Sequence, residues 1–313
     1  MRFDYLATLV GVLIAVQARV NGELAHLMGN PVEAALFSFT TGLAIIALIA
    51  LFHPGIKGGL LKLRSSVRTG GIRWWGLFGG VLGGNLVVIQ TFIVPLIGVA
   101  IFSVGSIAGQ TIASLLVDRL GITGGGKKHI TLRRVGAALL TILAVAVAVI
   151  DKVDAKHFSP FAAFLAVAAG SLIGIQRAMN GKINELTQQS FATSLLNFIT
   201  GTAYLAIFFV IEIALGINHP VALPHGPWWI YAGGALGVIY IAFAATIVQH
   251  IGVLNFTLFS VGGQLVASLI LDLISPTNGM PVSYYLVTGI LMTYLGVVVG
   301  GVNNSRVQKK NTQ

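Results

Sequence analysis

Residues 98–118 read GVAIFSVGSIAGQTIASLLVD, and residues 252–272 read GVLNFTLFSVGGQLVASLILD, so one stretch is written twice, 154 residues apart. Gly109, Gln110, Ser114 and Asp118 recur as Gly263, Gln264, Ser268 and Asp272. Steps of four place the Gln, Ser and Asp along one face of an otherwise apolar helix, which suits a helix that meets protein or water on one side only. A second stretch repeats as well. Residues 11–42 return at 170–201, with Gln17, Asn21, Gly22, Phe39 and Gly42 matched by Gln176, Asn180, Gly181, Phe198 and Gly201. Trp74, Trp75, Gly79, Gly80 and Gly83 likewise return as Trp228, Trp229, Gly233, Gly234 and Gly237. The chain is two related halves.

The solvent for those halves follows from composition. Of 313 residues, 56 % are hydrophobic and 9 % charged, and mean hydropathy is +0.89. A water-soluble domain carries about 25 % charge, so this chain belongs in a bilayer. Ten apolar stretches are long enough, or nearly so, to cross one: 5–26, 32–52, 73–93, 96–118, 132–150, 159–179, 191–214, 228–248, 252–272 and 284–302. Pro31 opens the second, the His53-Pro54-Gly55 run stops it, and Pro95 marks a tight turn between the third and fourth. The expected architecture is all-α and integral to the membrane. The first five-helix repeat covers 1–150, an external linker 151–158, the second repeat 159–303 and a cytoplasmic tail 304–313. Five spans per half is odd, so the second half enters from the opposite side and the repeat is inverted in topology.

Charge gives the same orientation by a separate route. The net charge is +10, and most of it sits in loops beside span ends, which argues against a nucleic-acid surface. Lys57, Lys62, Arg64, Arg68 and Arg73 follow the second span, and Lys127, Lys128, Arg133 and Arg134 follow the fourth. The equivalent segments of the second half, 215–227 and 273–283, contain no Lys or Arg. Under the positive-inside rule the basic loops and both termini are cytoplasmic. The chain has no Cys, which removes disulfides, thiolate metal sites and cysteine nucleophiles.

Polar groups within spans are the default candidates for function, because lipid does not tolerate them unpaired. Gln17 and Asn21 share a face, as do Gln176 and Asn180, and Gln110 with Ser114 and Gln264 with Ser268 form the other mirrored pairs. These eight are candidates to line a central cavity and bind a polar solute. The alternative reading is hydrogen-bonded glue between the first and sixth spans for the Gln and Asn pairs, worth about 1 kcal/mol per bond, and helix packing for the Gln and Ser pairs. Arg19, Glu23, Asp118, Arg177 and Asp272 are candidates for gating or coupling. Asp118 and Asp272 fall at span ends, where a solvated or ion-paired role competes, and Glu23 is matched by Lys182 and lies four residues after Arg19. The glycines at steps of four, Gly76, Gly80 and Gly84 with Gly79 and Gly83, read mainly as close-packing faces. No metal-ligand spacing and no nucleophile-base arrangement is present, so neither cofactor nor metal is expected and the enzyme class is set aside.

The paired QARVNG and QRAMNG motifs, with the paired GQ-x3-S-x3-D motifs, resemble the drug/metabolite transporter superfamily. More narrowly they are similar to the YdcZ-type bacterial inner-membrane exporters, a former family of unknown function, usually half this length; this chain looks like a fused ten-span version. The resemblance rests on Gln17, Asn21, Gly22, Pro31, Gly98, Gly109, Gln110, Asp118 and Gly121, then Gln176, Asn180, Gly181, Gly252, Gly263, Gln264 and Asp272. The second half departs from the pattern at Ser190 and Ser275, which stand opposite Pro31 and Gly121. The small multidrug exporters use an acidic residue in the first span, and neither half supplies an obvious equivalent. The mirrored polar line at the repeat interface is expected to carry a small polar or amphipathic metabolite by alternating access, and the resemblance implies the export direction; a monomer or homodimer is expected, with solute and lipid as partners and no nucleic acid. A channel-like facilitator without ion coupling is the alternative, and a structural membrane protein a further one. The first, third, fourth, sixth, eighth and ninth spans are expected around the cavity, with the fifth and tenth outside it.

Overall fold

The computed structural model describes residues 3–120, 130–152, 159–276 and 282–301. Among them there is no strand, and the α-helices are α1 (Phe3–Met28), α2 (Pro31–Phe52), α3 (Pro54–Arg68), α4 (Gly79–Leu120), α5 (Leu132–Val149), α6 (Pro160–Thr187), α7 (Ser190–Ala214), α8 (Gly233–Ile274) and α9 (Tyr284–Gly301). Residues 153–158 of the expected linker, the cytoplasmic tail and the lysines Lys127 and Lys128 lie outside the described residues, while Asp151 and Lys152 belong to a 3-10 turn, Ile150–Lys152, that follows α5. Short 3-10 turns at Trp74–Leu77 and Trp228–Tyr231 lead into α4 and α8. Six helical segments are long and apolar enough to cross a bilayer: α1, α2, α5, α6, α7 and Gly79–Val117 of α4. Phe259–Ile274 and Tyr284–Val299 are shorter apolar segments of α8 and α9. The outward faces carry Leu48, Leu51, Leu143, Phe164, Ile207 and Leu295, all exposed, as lipid requires.

Helix starts obey local chemistry. Asn30 caps α2 by accepting from the Glu33 backbone N–H, with Pro31 in the first turn, where its missing N–H costs nothing. Ser159 caps α6 in the same way, ahead of Pro160. The α3 helix was not anticipated, because its basic residues mask an apolar row: Ile56 and Leu63 are buried, Leu60 half-buried. It lies against the beginning of α7 and the end of α6, with Leu63 and Ile72 packed around Ile183. That contact explains why α6 runs to Thr187, past the apolar limit expected at 179.

α4 and α8 are each one run of helix with two limbs. Along α6, Gly83 faces Gln176 and Gly79 faces Asn180, so the first limb of α4 runs against α6. In the second limb Gly105 faces Ala166 and Ala113 faces Gly174, so it runs with α6. The chain reverses between Gly83 and Gly105, with Gly98 at φ 83° and ψ 166° the non-helical residue there. The reversal thus falls three residues beyond Pro95. α8 treats α1 alike: Gly237 and Gly233 face Gln17 and Asn21 in one sense, then Ser260 faces Gly11 and Ser275 reaches Arg19 in the other.

The halves interlock. α1 packs on α8 and α6 on α4, so each repeat's first helix docks in the other repeat. Close approach of backbones makes this possible. A Cβ on Gly170 would stand 1.9 Å from the Ser106 carbonyl oxygen, and one on Gly11 would stand 1.9 Å from that of Ser260, its repeat equivalent. Gly109 and Gly263 show the same relation to the carbonyls of Val167 and Thr8. Phe39 and Phe198, also equivalent, meet each other with ring centroids 5.5 Å apart. α5 and α9 pair through small residues, Gly289 beside Ala148 and Gly296 beside Thr141, and therefore run in opposite directions.

Candidate functional site

The mirrored amides sit in notches made by the mirrored glycines. Gln17 Nε2 donates to the Gly233 carbonyl at 2.9 Å, and Asn21 Nδ2 donates to Gln90 Oε1 at 3.2 Å. A Cβ on Gly233 would lie 1.9 Å from Asn21 Oδ1, and one on Gly237 2.8 Å from Gln17 Nε2. In the other half Gln176 Nε2 donates to Asn197 Oδ1 at 3.0 Å, and Asn197 Nδ2 donates to Asn180 Oδ1 at 2.8 Å. Gly79 and Gly83 clear the space for Asn180 and Gln176. The amides therefore bridge α1 to α8 and α4, and α6 to α7. Direct bonding between the first and sixth spans, the form of glue expected from sequence, is not what these amides make. Gln90 and Asn197 were not singled out in the sequence. Each is an amide within an apolar helix, and that was the available signal, although neither recurs in the other half: Ala244 and Ser38 stand opposite them.

The second set of mirrored residues differs between halves. Gln264 is buried and donates through Nε2 to Ser103 Oγ at 3.4 Å, and Ser268, also buried, bonds the Leu265 carbonyl within its own helix. Gln110 and Ser114 are only half-buried. Ser114 likewise bonds its own helix, at Thr111. Gln110 Oε1 instead accepts from Arg177 Nη1 at 2.5 Å. The Arg177 side chain is exposed, and it is close enough to Tyr240 for the two to interact electrostatically, so it lies in an open crevice among α4, α6 and α8.

The carboxylates have structural partners. Asp272 is 6 % exposed and accepts from the backbone N–H groups of Val99 and Ala100, at 3.0 and 2.8 Å. These are the first donors after the Gly98 break, so an acidic side chain from one repeat caps a helical limb of the other. The Asp118 side chain lies outside the described residues. Arg19 Nη2 donates to Ser275 Oγ at 2.7 Å and stands 3.5 Å from Glu23 Oε2. Arg19, Gly22, Glu23, His26, Val94, Pro95 and Pro276 surround a small open cleft of about 160 Å³. This cleft and the Arg177 crevice lie toward opposite ends of the helical body.

Comparison with known proteins agrees with the repeat. The family described as "Putative inner membrane exporter, YdcZ" matches twice, over residues 4–147 and 161–299. No curated protein matches the chain. One solved crystal structure, described only as that of a protein, aligns over 97 % of this chain and 97 % of its own, with a TM-score of 0.56 at 17 % identity; that likeness concerns the fold.

Proposed function

This chain belongs to the YdcZ family of inner-membrane exporters, and on that footing we propose that it is a secondary transporter of a small polar or amphipathic metabolite. It crosses the inner membrane ten times, each limb of α4 and α8 counting once, with both termini in the cytoplasm. It works by alternating access. The observation that carries this reading is the exchange of helices between repeats. α1 rides on α8 and α6 on α4 through contacts in which glycines bring the two backbones close together, a surface on which one unit can rock against another. The antiparallel α5 and α9, equivalent in the two repeats, support opposite orientation, and the basic α3 with Trp74 supports a cytoplasmic side.

Flux of a broad metabolite panel into vesicles containing the purified chain is the test. Saturable flux above that of empty vesicles supports transport, and its absence across the panel refutes it. A facilitator without ion coupling is the second reading, favoured by the lack of a described carboxylate beside Arg177. Solute accumulated against its gradient when a proton gradient is imposed excludes that reading; strictly downhill flux selects it.

A further inference from the structure

Nine acidic residues must serve 19 basic ones, and within the helical body their distribution is uneven. Arg19 has Glu23 one turn away, at 3.5 Å. Arg177 has Gly181 at that position, and its repeat equivalent is Ala18. Four more described carboxylates in helices are engaged elsewhere. Glu33 bonds Asn30 and the Val221 backbone, Glu185 pairs with Lys182, Glu212 accepts from Asn218, and Asp272 caps the limb after Gly98. Among the described residues no carboxylate lies within ion-pair distance of Arg177. Ten residues separate it from the end of α6 at Thr187 and seventeen from the start at Pro160, roughly 15 and 25 Å along the helix. Snorkelling to the nearer surface would extend the side chain along α6. Instead its guanidinium is turned sideways onto Gln110, across to the second limb of α4.

That contact fixes what the crevice offers a solute. Gln110 spends its acceptor oxygen on Arg177, leaving its Nε2 amide as a pair of donors. Arg177 contributes further N–H groups in a rigid fork, and Tyr240, from the first limb of α8, carries a phenolic O–H. One positive charge and three kinds of donor therefore gather in an open crevice, with no carboxylate within ion-pair distance among the described residues. A ligand whose oxygens only accept satisfies all three. Resting on the transport reading above, the geometry points to an anion-binding subsite at Arg177, Gln110 and Tyr240, which holds the carboxylate or phosphate group of the transported solute. The two repeats are unequal here by design of the sequence, because Gln264, the twin of Gln110, is buried on Ser103 with no arginine beside it. The solute's anionic end is thus held off the pseudo-symmetry axis, by the α6 side alone.

The test uses the purified full-length chain, with inorganic phosphate and succinate as probes and choline as the cationic control, at constant ionic strength. Thermal stability should rise with phosphate, with succinate or with both, which identifies the group, and choline should do nothing. In Arg177→Gln the half-saturating concentration should rise about tenfold or more, since a charge-assisted bond is removed, while Arg64→Gln, at an exposed position of α3, leaves it unchanged. Because Arg177→Gln also removes the bond between α6 and α4, the wild-type chain provides a second readout. The anion should slow modification of Arg177 by phenylglyoxal, followed by mass spectrometry, and leave Arg133 unprotected. An unaltered response in Arg177→Gln, or no response and no protection with either anion, overturns the subsite. The two readings fail separately. Anion binding that depends on Arg177 in a chain that moves no solute removes transport and keeps the subsite. Flux of a neutral or cationic solute that survives Arg177→Gln removes the subsite and keeps transport.

Discussion

The contact of Asp272 with the turn at Gly98 is the place where one substitution should separate the repeats most clearly. Asp272→Ala deletes two charge-assisted bonds to the Val99 and Ala100 N–H groups, in a site where the carboxylate is 6 % exposed. Loss of an N-cap costs about 0.5–2 kcal/mol, and each buried donor left without a partner costs about 1–3 kcal/mol. With partial rescue by water the expected loss is about 2–4 kcal/mol. Asp272→Asn keeps one acceptor oxygen and should lose about half as much. Gly98→Ala attacks from the other side. Its φ of 83° with ψ of 166° is reserved for glycine, which costs about 1–3 kcal/mol in any other residue. The new Cβ would also lie 2.7 Å from Asp272 Oδ2. In the double variant that clash is gone and only backbone strain remains, so the combined loss should fall short of the sum by about 1 kcal/mol. The assay is reversible unfolding in mixed detergent micelles, followed by tryptophan fluorescence. If Asp272→Ala lies within about 0.5 kcal/mol of wild type, or if the two changes add, the cap is not what holds the limb.

Three further outcomes follow from the same geometry. Gly80→Ala and Gly234→Ala put a Cβ 2.1 Å from the Asn197 carbonyl and 2.3 Å from that of Ser38; each should destabilise by about 1–3 kcal/mol in the same unfolding assay, whereas Gly181→Ala, with nothing within 4 Å, should be neutral or stabilising. Asn197→Leu removes the bridge between Gln176 and Asn180 and should cost about 1–2 kcal/mol; a variant as stable as wild type would refute the bridging role. Because the chain has no Cys, single cysteines report topology cleanly: Lys62→Cys should be shielded from an impermeant maleimide in intact cells and Asn218→Cys labelled, and the reverse pattern would overturn the orientation.

Much of this fold was legible because the duplicated text constrains it from two sides. The glycines at 79, 83, 233 and 237 and the amides at 17, 21, 176 and 180 each recurred, and their recurrence marked both as part of one device. What could not be read was that they belong to each other, since the glycine that faces each amide lies in the other repeat and no spacing along the chain encodes that. Two local features also escaped. The row of Ile56, Leu60, Leu63 and Val67 has helical spacing, yet four interspersed basic residues made α3 look like a loop. Pro95 drew attention to the reversal of α4, but proline accepts the helical φ, and the residue that leaves the helix is Gly98.

The same comparison shows where duplication stopped constraining the chain. Features that hold the repeats together are doubled: carbonyl-facing Gly11 and Gly170, notched Gly79 and Gly233, and the facing pair Phe39 and Phe198. Several other polar side chains in the helical body are not. Arg177 stands opposite Ala18, Arg19 opposite Ala178, Gln90 opposite Ala244, Asn197 opposite Ser38 and Glu23 opposite Lys182. In two identical chains any polar residue would have to be tolerated at both of its symmetry-related places, including the one buried against Ser103. Fusing the repeats removes that condition. One copy of the GQ-x3-S-x3-D helix then keeps Gln264 and Ser268 buried in the packing, while the other turns Gln110 toward Arg177. The doubled residues accordingly report on how the helices pack on one another, and the unmatched ones mark where the two halves have taken different polar partners.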